Sequence, residues 1–320
     1  MRERAATSRA LAILACICGC VSAVTAQSDT VIHVYQLGDV VVHAHEPGNR
    51  YEGFIQQVMQ DTSFHHAFLN TRFYPHRLTG DLRVRDRKEK RRARWLRWAH
   101  LERRGAIAEL ITDSVLEEGN LRKADDEARS FTVRMFADVF YPEGPFVAHH
   151  AVGQKEIGLV RGSRMEKYRS ELKKFMFNPG QEIASVPFIG DKLALYSPEM
   201  APLYEHSIAT EMRDGRPCLL FSSIARDTVD GKRADPDDTV IARMTTWFDQ
   251  ETFHVVERSY RLRRASLFVD FDITIHVRNA VIGTEVVPTR VEYDGRWDIP
   301  FEREEDVRFL LTYSDWVVPK

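Results

Sequence analysis

The sequence predicts a mainly β protein: one large antiparallel sheet with helices packed on its dry face. Three observations carry this. Residues 267–277, LFVDFDITIHV, alternate without a break, with Leu267, Val269, Phe271, Ile273, Ile275 and Val277 on one strand face. Phe268, Asp270, Asp272, Thr274 and His276 fall on the other, because side chains in a strand point alternately to opposite faces. Second, similar segments follow one another across short turns from about residue 196 onward, the pattern of an up-and-down meander. Third, Tyr51, Phe54, Ile55, Val58 and Met59 recur at helical spacing, an apolar stripe suited to cover a sheet.

The elements follow in order. Residues 31–45 are β-prone, interrupted at Gly38-Asp39 and stopped by Pro47-Gly48. Asn49 can cap a helix that runs to Asp61. Residues 67–84 read as strand broken by Pro75 and Gly80, 106–115 as a strand, and 131–141 as another beyond a charged connection at 117–129. Residues 142–160 have no period and read as a loop, and 166–177 read as a second helix ended by Asn178-Pro179-Gly180. Strands are then expected at 207–212, 218–225, 240–248, 253–262, 267–277, 281–293 and 307–316. Turns are expected at Asp214-Gly215 and Asp294-Gly295.

The stretch from Arg83 to Arg104 is strongly basic, with Arg91, Arg92, Arg94 and Arg97 set around Trp95 and Trp98. It reads as a surface helix whose tryptophans pack inward. A second reading is an interfacial segment meeting anionic headgroups, since Trp and Arg each join an apolar body to a polar end. A protein partner is the third.

Residues 1–26 read as an export signal: Arg2, Arg4 and Arg9, then the apolar run 10–24, then small residues before Gln27. Residues 27–48 form an N-terminal β-prone extension and 49–320 one domain. Cys16 and Cys20 each end a lipobox-like run, so a lipid anchor is the alternative to a free mature chain. Of the four cysteines only Cys218 lies beyond the signal, which leaves no internal disulfide and a fold held by its core. No later run reaches the roughly 18–20 apolar residues of a membrane-spanning helix. A net charge of −2 argues against bulk nucleic-acid binding.

Met244-Thr245-Thr246-Trp247-Phe248-Asp249, followed by Thr252 and Val255-Val256, resembles the hairpin of the LolA/LolB/MucB-like envelope proteins, which include lipoprotein carriers. FVDFDITIHVRN (268–279) and VPTRVEYDG (287–295) suit the closing strands of that superfamily. LGDVVVHA (37–44) resembles the segment that often precedes the plug of outer-membrane receptors, and also the end of carboxypeptidase-like regulatory domains, which precede a group of outer-membrane-associated proteins. Pro187-Phe188-Ile189-Gly190-Asp191 and Tyr196-Ser197-Pro198 echo the same group. The first resemblance implies a strongly curved half-barrel wrapped around one or two helices, with an apolar concavity that holds acyl chains in the carriers.

No catalytic signature stands out: there is no GxSxG, HExxH, P-loop or dinucleotide fingerprint. His43-Ala44-His45 has a chelating spacing but lacks a distant ligand. On strands, the members of the adjacent pairs His65-His66 and His149-His150 would point to opposite faces, so neither is read as a bidentate site, and no cofactor or metal is expected. Asp270 and Asp272 read as the polar face of a strand. The expectation is a non-catalytic periplasmic or outer-membrane-peripheral protein that binds a lipid, lipoprotein or other apolar component. Val269, Phe271, Ile273, Ile275, Phe309 and Leu311 would line the inner face. An interaction scaffold at an outer-membrane protein is the second reading, and a hydrolase with an unfamiliar site the third.

Overall fold

The computed structural model describes residues 42–43, 49–85, 92–119, 121, 131–151, 180, 191–265, 270–298 and 304–318. All of them belong to the unit Val34–Lys320. The export signal with Cys16 and Cys20, the helix expected at 166–177, Arg91 and Val269 lie outside the described residues, and of 31–45 only 42–43 lies within them.

In chain order the elements are β1 (Val42–His43), α1 (Asn49–Gln60), α2 (Ser63–Asn70), β2 (Arg77–Arg85), β3 (Arg92–Arg104), β4 (Ile107–Gly119), α3 (Phe131–Phe140) and β5 (Phe146–Val147). Then come β6 (Tyr204–Arg213), β7 (Arg216–Ala225), the small pair β8 (Thr228–Val229) and β9 (Lys232–Arg233), and β10 (Ile241–Asp249). The chain closes with β11 (Val255–Ala265), β12 (Asp270–Ile282), β13 (Glu285–Asp298) and β14 (Glu305–Ser314). Apart from β8 and β9, these strands form one 12-stranded sheet in the order β1-β6-β7-β10-β11-β12-β13-β14-β2-β3-β4-β5.

Every neighbouring pair in it is antiparallel. The sheet is open, with β1 and β5 at its edges. The chain leaves one edge after β5 and re-enters at the other through β6, and β14 then pairs with β2 to join the two halves. Bulges between Trp98 and Ala99, Trp247 and Phe248, and Arg278 and Asn279 add local twist, and the sheet curves around its helices.

One-sidedness holds along the later strands. Phe271, Ile273, Ile275 and Val277 on β12 are buried, as are Val307, Phe309, Leu311 and Tyr313 on β14. Asp272, Thr274, Asp306, Arg308 and Thr312 alternate with them and are more exposed. The β10–β11 turn explains the hairpin motif: Asp249 Oδ1 accepts from the backbone N–H of Glu251 (3.0 Å) and Thr252 (2.9 Å) and from the Thr252 hydroxyl (3.1 Å). At the β6–β7 turn Asp214 and Gly215 both take positive φ, 47° and 79°, as a two-residue hairpin loop demands.

Four expectations are corrected. Residues 131–140 form helix α3, not a strand: Val133, Phe136, Val139 and Phe140 are the buried set, at helical spacing. Within the basic stretch, Arg92–Arg104 is strand β3, not a helix; Trp95, Ala99 and Leu101, at even spacing, face inward, and the bulge opposite Trp98 and Ala99 places its extra residue, Asp113, on β4. Residues 67–70 belong to helix α2, and β2 begins only at Arg77, beyond Pro75. Asp294-Gly295 is not a turn but lies inside β13, which runs on to Asp298 before β14 begins at Glu305; a separate reversal, at Gly283 (φ 63°), divides β12 from β13 within the strand expected at 281–293. Gly295 is needed because the Tyr293 ring folds back across it, leaving only 2.6 Å between the Tyr293 hydroxyl and the place a β-carbon would take.

Candidate functional site

The concavity is built from the apolar faces of the strands and covered by three helices from the N-terminal half. Phe54 of α1 meets the rings of Phe221 on β7 (5.3 Å), Phe248 on β10 (6.3 Å) and Phe253 (5.7 Å), all edge-on. Phe136 of α3 meets Phe309 (4.3 Å) and Tyr293 (4.8 Å), and Phe140 meets Phe309 at 5.3 Å and Phe68 of α2 at 6.5 Å. Hence Phe271, Ile273, Ile275, Phe309 and Leu311 all face the interior. The helices pack against that lining, and the α2–α3 seam encloses a cavity of only about 10 Å³, room for one water.

That cavity is edged by polar groups. Arg72, 4% exposed, donates to the Val139 carbonyl at the end of α3 and lies 5.8 Å from the rings of Phe68 and Phe146. His76 Nδ1 lies 2.8 Å from the Tyr74 carbonyl, and burial pulls the imidazole down to about 4. Under α2, the buried Arg258 donates to Thr246 Oγ1 (2.9 Å) and sits 4.4 Å over the Phe64 ring; burial depresses its pKa. Such cations among rings satisfy their charge by hydrogen bonds and ring faces. Cys218 is buried, and burial pushes its thiol up to about 11, which makes it a packing residue.

The outer face is an ion-pair lattice. Arg261 grips Asp272 through two hydrogen bonds (2.8 and 2.5 Å), which lowers that carboxyl, and Arg296 lies 3.9 Å from Asp270. Glu257 gathers His276 (2.7 Å), Arg278 (3.3 Å) and Arg213 (3.8 Å). The aspartate pair is thus held by arginines on the polar face.

The structure separates the residues of the basic strand. Trp95 is buried against Tyr141, ring centroids 5.1 Å apart, whereas Trp98 is 37% exposed. Arg97 lies 4.5 Å over the Tyr141 ring and donates to Thr112, and Arg94 makes a two-pronged pair with Asp81 (2.9 and 3.0 Å). Of Arg92 only the strand backbone is described.

Sequence reasoning missed one grouping. His66 of α2, His150 after β5 and Glu285 at the start of β13 place one ligating atom each within 4.8 Å of one another. Each comes from a different segment, so neither adjacent histidine pair signals it. Burial lowers the pKa of His66, as do His150 and His254, against a rise from Glu285.

No protein-family model and no curated protein matches the chain. Among solved structures it is similar to a putative outer membrane lipoprotein-sorting protein domain from Vibrio parahaemolyticus, at 12% identity over 80% of this chain and 91% of that one, with a TM-score of 0.30. It is also similar to a LolA superfamily protein from Nitrosomonas europaea (13% identity, 82% and 93% covered, TM-score 0.25). A DUF1329 family protein from Desulfovibrio piger is a third (12%, 81% and 91%, TM-score 0.23). At these identities and TM-scores the likeness carries no role over to this chain.

Proposed function

We propose that this chain is an exported, non-catalytic protein of the cell envelope, in the periplasm or at the outer-membrane periphery. It binds a lipid, lipoprotein or other apolar component in the concavity of its sheet. Val269, Phe271, Ile273, Ile275, Phe309 and Leu311 are the proposed lining. The observation that carries the reading is the nature of the cover: a continuous apolar sheet face lies under separate helices of 12, 8 and 10 residues.

An acyl chain enters only where one of those helices gives way. Lifting α3 exposes Val133, Phe136, Val139 and Phe140. At about 1.5–3 kcal/mol for each side chain this costs about 6–12 kcal/mol. A ligand burying about 12 methylenes returns about 10 kcal/mol at about 0.8 kcal/mol each. The exchange lies near balance, as reversible loading requires. Delipidated protein is expected to take up a fluorescent fatty acid or lipopeptide, and an Ile273→Trp variant, with the concavity filled, to take up less. Absence of uptake by the folded wild-type protein would reject the reading.

A second reading, docking on an outer-membrane protein or membrane surface, is favoured by the β3–β4 hairpin. Val115 and Leu116 are 46% and 44% exposed there and Trp98 37%. Among the described residues β4 has β5 beside it only at Ile107 and Ala108. Arg91, Arg92, Arg94, Trp95, Arg97 and Trp98 are the contact set proposed from sequence. Of the described ones, Trp98 is the aromatic open to a partner. Unchanged vesicle binding and partner capture by a Trp98→Ser, Leu116→Ser variant would set this reading aside.

A further inference from the structure

The geometry points to a divalent transition-metal site, suited to zinc, formed by His66, His150 and Glu285. Two imidazoles and one carboxylate are a donor set that zinc takes in a tetrahedral arrangement with an open fourth position. The mutual limit of 4.8 Å, with His66 Nδ1 4.0 Å from Glu285 Oε2, is wider than the roughly 3.3 Å between ligands of a tetrahedral zinc ion. Closing that gap needs each side chain to draw in by about an ångström, and all three are only partly buried, so rotation suffices.

The surroundings orient the three groups. Asn70 Nδ2 donates to Glu285 Oε2 (3.1 Å) and also to the Val286 carbonyl (2.8 Å), tying the carboxylate to α2. Burial, and next the charge of the same carboxylate, raises the Tyr74 phenol pKa. The His150 ring lies flat on Phe73, with centroids 4.1 Å apart and planes within 3°, and Tyr74 meets it edge-on at 5.7 Å. His150 Nδ1 is buried and has no hydrogen-bond partner among the described residues. A stacked imidazole with an idle nitrogen, beside a hydrogen-bonded carboxylate and a second imidazole, is a donor set already roughly oriented by outer partners of the kind that serve metal ligands. The ligands come from α2, from the segment after the edge strand β5, and from the β12–β13 hairpin, so a bound ion would fasten a covering helix to both. This inference stands apart from the lipid-binding reading, which needs no metal.

The test uses the full-length protein, stripped by a chelator and titrated with zinc by calorimetry. One equivalent is expected to bind to wild type. His150→Gln and Glu285→Gln are each expected to weaken binding by about tenfold or more. His100→Ala, which removes a partly exposed imidazole held by Asp113, is expected to bind as wild type does. Undiminished affinity in a His66→Ala, His150→Ala double variant would overturn the site. Because a variant can lose its fold, imidazole resonances of the wild-type protein give a second readout. Those of His66 and His150 are expected to shift on zinc addition while that of His100 stays; no shift at either would equally overturn it.

Discussion

The ring of Phe136 on α3 lies 4.3 Å from the ring of Phe309 on β14, tilted by 37°, with neither side chain more than 2% exposed. This contact seats the helix on the centre of the meander. Phe136→Ala is expected to cost about 3–5 kcal/mol, because it removes a buried ring and leaves a void that the rigid sheet fills poorly. Urea unfolding measures it. A loss under about 1 kcal/mol would mean that α3 is not anchored there.

Gly80 lies in the middle of β2, opposite Leu311, with the Tyr141 hydroxyl resting over its α-carbon. A β-carbon there would collide with that hydroxyl and come within 3.2 Å of Leu311 Cδ2. Gly80→Ala is expected to destabilise by about 1–3 kcal/mol through overpacking. Tyr141→Phe alone is expected to be nearly neutral, since the hydroxyl is buried without a hydrogen-bond partner among the described residues. Combined, the two changes are expected to cost less than their sum, and a double-mutant cycle reads the difference.

Glu305 opens β14, and its Oε2 accepts from both the backbone N–H (3.1 Å) and the hydroxyl (2.8 Å) of Thr132 in the first turn of α3. A carboxylate there satisfies an otherwise idle N–H and favours the positive end of the helix. Glu305→Ala is expected to lose about 1–2 kcal/mol. Its amide hydrogens in α3 are expected to exchange faster, while those of β10 and β11 hold.

Two buried imidazoles set the acid side of stability. Burial pulls His76 and His206 each down to about 4 from an ordinary 6.5. Above pH 6.5 both folded and unfolded forms are neutral, and the full stability is present. Between 6.5 and 4 the unfolded chain takes up protons that the folded chain refuses, so stability falls as pH falls. The slope reaches at most about 1.4 kcal/mol per pH unit for each histidine. His206→Phe is expected to flatten the profile across that window, and a parallel profile would contradict the assignment.

Below it, Asp81 acts in the same direction for a different reason. Burial raises its carboxyl, but hydrogen bonds from Arg94 and Arg83 outweigh this and hold it at about 2. Its contribution is present above the ordinary carboxylate value and is lost as pH falls toward 2. Asp81→Asn is expected to be less stable at neutral pH and to lose less on acidification, as thermal melts at pH 7 and pH 3 would show.

The strands legible in the sequence were those with one dry and one wet face. On β12 and β14 the alternation is enforced by the sheet itself, so Phe271, Ile273, Phe309 and Leu311 could be assigned to the interior from spacing. α3 was misread because Phe131, Val133, Val139 and Phe140 are β-prone in isolation, and its helical spacing outweighs that only against a partner surface. β3 was misread because arginines around tryptophans suit a helix as well as a strand. Pairing with β2 and β4 decided it.

Local pattern by itself determined the class of this protein, the β6–β7 and β10–β11 hairpins and the buried faces of β12 and β14, because period-two alternation and turn chemistry act between neighbours in the chain. The tertiary structure alone decided that the concavity is filled by α1, α2 and α3, that Gly295 serves a tyrosine rather than a turn, and that His66, His150 and Glu285 meet. Those outcomes depend on contacts between segments far apart in sequence, where no spacing rule reaches and only the closing of the sheet around its helices sets the distance.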